Sequence, residues 1–96
     1  MFTQDLSVVV DDGGRSQAVS INGTSAQSTT INTEVALVTL TTPAFVRQGS
    51  NPTATADGTD IYLLADVTYR LNIKRGNTLA FKTTGSTGTA YITPGV

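Results

Sequence analysis

Short runs of alternating apolar and polar residues recur along this chain, cut at close intervals by turn residues. No segment places apolar residues at helical spacing over three turns. Successive side chains of a strand point to opposite faces, so such alternation marks half-buried strands. The cleanest case is 67–74, where Val67, Tyr69, Leu71 and Ile73 alternate with Thr68, Arg70, Asn72 and Lys74. This predicts a strand with one core face and one polar face carrying two cations. Residues 34–42 predict the strongest strand. Val35, Leu37 and Thr39 point one way, and Ala36, Val38 and Leu40 the other. Both faces are largely apolar, so the strand is central or one face meets another subunit.

The remaining elements follow from the same pattern. Leu6-Ser7-Val8-Val9-Val10 predicts a first strand, stopped by Asp11-Asp12-Gly13-Gly14. Residues 17–21 predict a second, with Ala18 and Ser20 opposite Val19 and Ile21. Residues 25–32 are almost wholly polar around Ile31 and read as a loop or an exposed edge strand. After Pro43, residues 44–47 predict a short strand that turns a corner or pairs at an edge. Residues 60–64, 78–82 and 89–93 complete the set. Arg75-Gly76-Asn77 reads as a tight turn joining 67–74 to 78–82 in a hairpin. Seven or eight short strands between turns predict an all-β fold: one antiparallel β-sandwich domain over 1–96, jelly-roll-like or Greek-key, with 1–5 as an N-terminal arm ending in an exposed Phe2.

The 48–59 stretch is the longest without apolar periodicity, and its tip is Gly49-Ser50-Asn51-Pro52. Long loops in compact domains are binding elements or mobile. The small β-competent run Thr53-Ala54-Thr55-Ala56 suits strand addition onto a neighbour.

Composition narrows the chemistry. The chain has 96 residues, 39% hydrophobic and only 14% charged, with no His, Cys or Trp. A domain this small with so thin an apolar content gains from association. The net charge of −1 divides unevenly: residues 1–46 carry −3 and residues 47–96 carry +2. That asymmetry orients a domain on a partner, but it is too weak for nucleic-acid binding by phosphate neutralisation. No apolar run approaches the ~20 residues that span a bilayer. A nucleophile has no His to serve as its base, and Lys74 and Lys82 carry outward parity, which keeps them protonated. Asp11 with Asp12, and Asp57 with Asp60, read as turn residues rather than facing catalytic carboxyls. The Asp57-Gly58-Thr59-Asp60 segment falls short of the six to eight oxygens that Ca²⁺ takes. No cofactor is expected. Sugar stacking needs exposed aromatics: Tyr69 has core parity and Tyr62 lies between Ile61 and Leu63, which leaves Tyr91.

The stretch Ala44-Phe45-Val46-Arg47-Gln48-Gly49-Ser50-Asn51-Pro52-Thr53-Ala54-Thr55, then Asp60-Ile61-Tyr62-Leu63, the Tyr69-Arg70-Leu71 strand and the final Gly88-Thr89-Ala90-Tyr91-Ile92, resembles small virion proteins of tailed bacteriophages. The resemblance covers about residues 35–93 and is of the capsid decoration, or cement, type. It implies a non-enzymatic homotrimer of β-sandwich or jelly-roll fold. Such a protein is made in the bacterial cytoplasm, binds the major capsid protein on the outer shell and bridges capsomers. Strand parity and loop position put its contacts at Phe2, Arg47, Asn51, Pro52, Thr53, Arg70 and Lys74. Two other expectations stand beside it: a head–tail or tail-fibre-associated protein, and a carbohydrate-binding or adhesion module.

Overall fold

The computed structural model describes residues 16–95, so the expected strand at 6–10, the 1–5 arm and Phe2 lie outside the described residues. Eight strands form: β1 (Gln17–Ile21), β2 (Ala26–Gln27), β3 (Val35–Leu40), β4 (Ala44–Gly49), β5 (Ile61–Leu63), β6 (Thr68–Asn72), β7 (Thr78–Lys82) and β8 (Gly88–Pro94). They make two four-stranded antiparallel sheets, β1-β8-β3-β6 and β2-β7-β4-β5. Strand β1 pairs with β8, β2 with β7, β3 with β6 and β4 with β5. The chain is therefore one long antiparallel ribbon folded back at the β4–β5 connection. It is then wrapped so that β8 meets β3 and β7 meets β4. That is the jelly-roll arrangement within the β-sandwich class.

The core forms where the two inner faces meet. Ala36, Val38 and Leu40 of β3 are fully buried, as are Ala90 and Ile92 of β8 and Phe81 of β7. Strand β3 is central, between β8 and β6, and its outer-face residues Val35 and Leu37 are half-buried. Ile31, the one large apolar side chain of the polar 25–32 stretch, is 1% exposed and joins the core, while Ala26 and Gln27 pair at the edge of their sheet.

Two expectations change. Residues 67–82 are not a hairpin, because β6 pairs with β3 in one sheet while β7 pairs with β2 and β4 in the other. The 74–77 turn is a corner between sheets. Its Asn77 amide donates to the Lys74 carbonyl (3.0 Å), and Gly76 sits at φ +94°, a conformation open to glycine. Ile31 fixes the corner by receiving the Gly76 amide at its carbonyl and giving its own amide to Asn77 (2.8 and 2.9 Å). Every connection crosses between sheets except β4–β5, so tight turns mark corners here rather than hairpins. The 44–47 strand, extended to Gly49, turns a corner after Pro43 but is an inner strand between β7 and β5.

Candidate functional site

The β4–β5 connection, at the fold-back of the ribbon, is fastened down. Gln27 Nε2 donates to Asn51 Oδ1 and to the Pro52 carbonyl (2.8 and 2.9 Å), and the Ala54 amide donates to Ser25 Oγ (2.9 Å). Gln27 pairs with Ala80, so this bonding lays the loop over the outer face of its sheet. There Ala80 and Thr78 are buried on the side turned from the core, along with Pro52 and Ala54 of the loop.

The aspartates of the loop are absorbed by its own architecture. Asp57 Oδ1 accepts from the Thr59 hydroxyl, the Thr59 amide and the Thr55 hydroxyl (2.7, 3.1 and 2.9 Å). The Thr59 hydroxyl is the largest influence holding the Asp57 carboxyl down at about 2. Asp60 is 5% exposed. Its Oδ1 accepts from Arg47 Nε (2.6 Å) and its Oδ2 from the Thr55 amide (2.8 Å). Burial acts to raise its pKa, but the Thr55 amide and the Arg47 guanidinium outweigh it and hold the carboxyl below its ordinary value. Both carboxylates serve as turn and anchor groups.

Beside this loop the sandwich is open. A cleft of about 380 Å³ runs between the free strands β5 and β6, lined by Val46, Ile61, Leu71 and Leu79 among apolar residues and by Arg47, Gln48, Asp60 and Arg70 among polar ones. Ile61 pairs with Val46 and so has core parity, yet it is 66% exposed. Tyr69 and Leu71 also carry core parity, through their pairing with Val38 and Ala36, and are only half-buried. At the opposite edge of that sheet the inward-facing Val19 of β1 is half-buried as well, but no inward-facing residue there is as exposed as Ile61. Tyr62, Leu64 and Val67 are exposed on the same flank. Tyr62 packs its ring against Phe45 on the outer face at 4.8 Å, a correction to its expected place inside. One end of the cleft is bridged by Gln48, which donates from Nε2 to the Asn72 carbonyl (3.2 Å) and accepts the Lys74 amide at Oε1 (2.9 Å).

The expected contact residues fall into two groups. Arg47 and Arg70 line the cleft together, and Lys74 stands in the corner turn at its Gln48 end. Asn51 and Pro52 are bonded to Gln27, with Pro52 buried and Thr53 exposed. The structure adds Ile61, Leu64, Val67 and Gln48: alternation assigns Ile61 to the core, and only the missing cover exposes it, while Val67, expected on the core face of its strand, precedes β6 and is exposed. Compared with known proteins, the chain matches no protein-family model, no curated protein and no solved structure.

Proposed function

We propose that this chain is a non-enzymatic virion structural protein, a decoration protein that seats on the outer shell of a phage head as a homotrimer and stabilises contacts between capsomers. The observation that carries this reading is the open apolar flank at β5 and β6 of the jelly roll, where Ile61, Tyr62, Leu64 and Val67 are exposed together. Large exposed apolar groups gathered on one side of a small domain mark an interaction surface. The phage-virion resemblance of the 35–93 region supplies the kind of particle, and jelly rolls recur in viral coats. An interface of standard size hides ~800 Å² per partner. With about half of that apolar, it contributes roughly 10 kcal/mol before association costs.

Cosedimentation of the purified chain with expanded phage heads tests the reading, with the bound copies located by electron microscopy. Copies spread over the whole shell support decoration. A single ring at one vertex supports the head–tail alternative, and no binding to heads overturns both. Tyr91, exposed on the outer face of β8, favours a carbohydrate-binding module as a second reading. Protection of Tyr91 from hydrogen exchange by a glycan would support that reading instead.

A further inference from the structure

The geometry points to a specific occupant for the open flank: residues 6–10 of a second copy of this chain, added as a strand along the free edge of β6. This deepens the homotrimer part of the proposed function and rests on that part alone.

Four observations carry it. First, the β6 edge is available from Thr68 to Arg70, with its Asn72 end capped by Gln48. The Asn72 carbonyl points away from β3 and is met by Gln48. By strand alternation the main-chain groups of Arg70 and Thr68 also face outward, and no backbone group pairs with them among the described residues. Second, the side-chain pattern fits. Leu6, Val8 and Val10 share one face of an extended segment, and the cleft beside β6 exposes Ile61 and half-covers Leu71 on core parity. A strand placed there extends the inner face and covers these residues, as in strand addition onto sheet edges generally. Its five residues match the five of β6.

Third, the charges are complementary. Residues 1–15 carry Asp5, Asp11 and Asp12 against Arg15, and residues 68–75 carry Arg70, Lys74 and Arg75 with no acid. Fourth, the position of β1 favours a second copy over the same one. β1 and β6 are opposite edges of one sheet, separated by β8 and β3. Gln17 stands level with Tyr69 through Ile92 and Val38. A chain's own segment has to cross the whole outer face, ~14 Å to β6 and ~19 Å to lie beyond it, on a tether that joins residue 10 to Gln17 with a full reach of ~24 Å, and so runs nearly taut over the face, whereas a second copy's segment carries no such constraint. The nearer edge, beside β1, is a poor seat for apolar side chains. Its inner-face positions are Gln17, whose Oε1 is taken by the Thr29 amide (2.9 Å), and a half-buried Val19, against Ile61, Tyr69 and Leu71 at the β5–β6 flank.

The test uses the full chain, which has no native cysteine. Val8→Cys with Ile61→Cys in one chain should oxidise to a ladder of linked chains on non-reducing gels. In solution the unaltered chain should scatter light as a particle of about 30 kDa, three times its 10.0 kDa. Val8→Asp should lower that mass threefold, and so, independently, should Ile61→Asp. An unchanged circular dichroism spectrum certifies each fold. Ile61 is exposed, so its replacement leaves the domain intact and keeps the test decisive should Val8→Asp fail to fold.

Several results overturn the inference: linkage only within one chain, linkage of Val8→Cys to Ala18→Cys in place of Ile61→Cys, a mass insensitive to both aspartate variants, or a monomer at every concentration. Trimers that resist both substitutions and still coat phage heads sink this inference and leave decoration standing. Trimers that dissolve with Val8→Asp but never bind heads do the reverse.

Discussion

Replacing Asp60 with Asn isolates what anchors the fold-back loop. Asn is isosteric with the protonated acid, so the change removes the charge and turns one acceptor into a donor. The Thr55 amide (2.8 Å) and Arg47 Nε (2.6 Å) both donate to Asp60 and cannot both be satisfied afterwards. The amide bond, charge-assisted and shielded beside a side chain 5% exposed, contributes about 1.5 kcal/mol. The Arg47 side chain is 41% exposed, so its half counts as a surface pair worth at most ~1 kcal/mol. Asp60→Asn should therefore cost about 2 kcal/mol, a fall in Tm of roughly 8–16 °C for a domain of this size. Thermal melts followed by circular dichroism at neutral pH measure it. The pH dependence provides the sharper check. Asp60 has a folded pKa below its unfolded value, so the unfolded chain takes up the proton first. Its contribution is complete above ~4 and is lost as pH falls through the folded value. The melting curves of the two proteins should converge in acid. A Tm loss under about 3 °C at neutral pH, or a full-sized loss that persists in acid, would refute the anchoring role.

Other outcomes follow from the same structure. Phe81→Ala, at a site with no exposure, should cost about 3–5 kcal/mol and leave the domain largely unfolded at 37 °C in a denaturant titration. Gly88→Ala should destabilise by about 1–3 kcal/mol, because a Cβ there meets Thr42 Cγ2 at 2.6 Å and Thr41 Oγ1 at 2.7 Å. The Thr41 oxygen also accepts the Thr89 amide, so displacing it breaks that bond, and a Tm equal to the parent's would count against this contact. The unaltered protein should lose stability as pH falls from ~4 towards ~2, because the folded-state pKa of Asp57, about 2, is depressed like that of Asp60. Asp57→Asn should flatten part of that slope. Arg70→Glu with Lys74→Glu should leave Tm within a few degrees, since both residues are exposed, and should weaken phage-head binding in cosedimentation.

The cleft shows where reading by period reaches its limit. Ile61 alternates correctly and pairs with Val46, so every local signal places it inside. Whether an inward-facing residue is buried depends on what lies across from it, and the facing sheet ends at β6. The Arg47–Asp60 pair was equally hidden. The two residues are thirteen apart, with an irregular loop between them, and no period relates them. The turn character of Asp57 was legible because Asp bonds its own near neighbours, here Thr59 two residues on.

The sequence by itself determined that the chain is all-β, where most of its strands run, and which face of β6 turns inward. Strand formation and face selection depend on neighbours one or two residues away, and β-branched residues in alternation specify both. Only the tertiary structure decided that β1 meets β8, that β6 and β7 part company at Gly76, and that the flank between β5 and β6 stays open. Those outcomes rest on pairings dozens of residues apart, as between Gln17 and Ile92. They arise from wrapping one ribbon into two sheets, and no short stretch of chain encodes that closure.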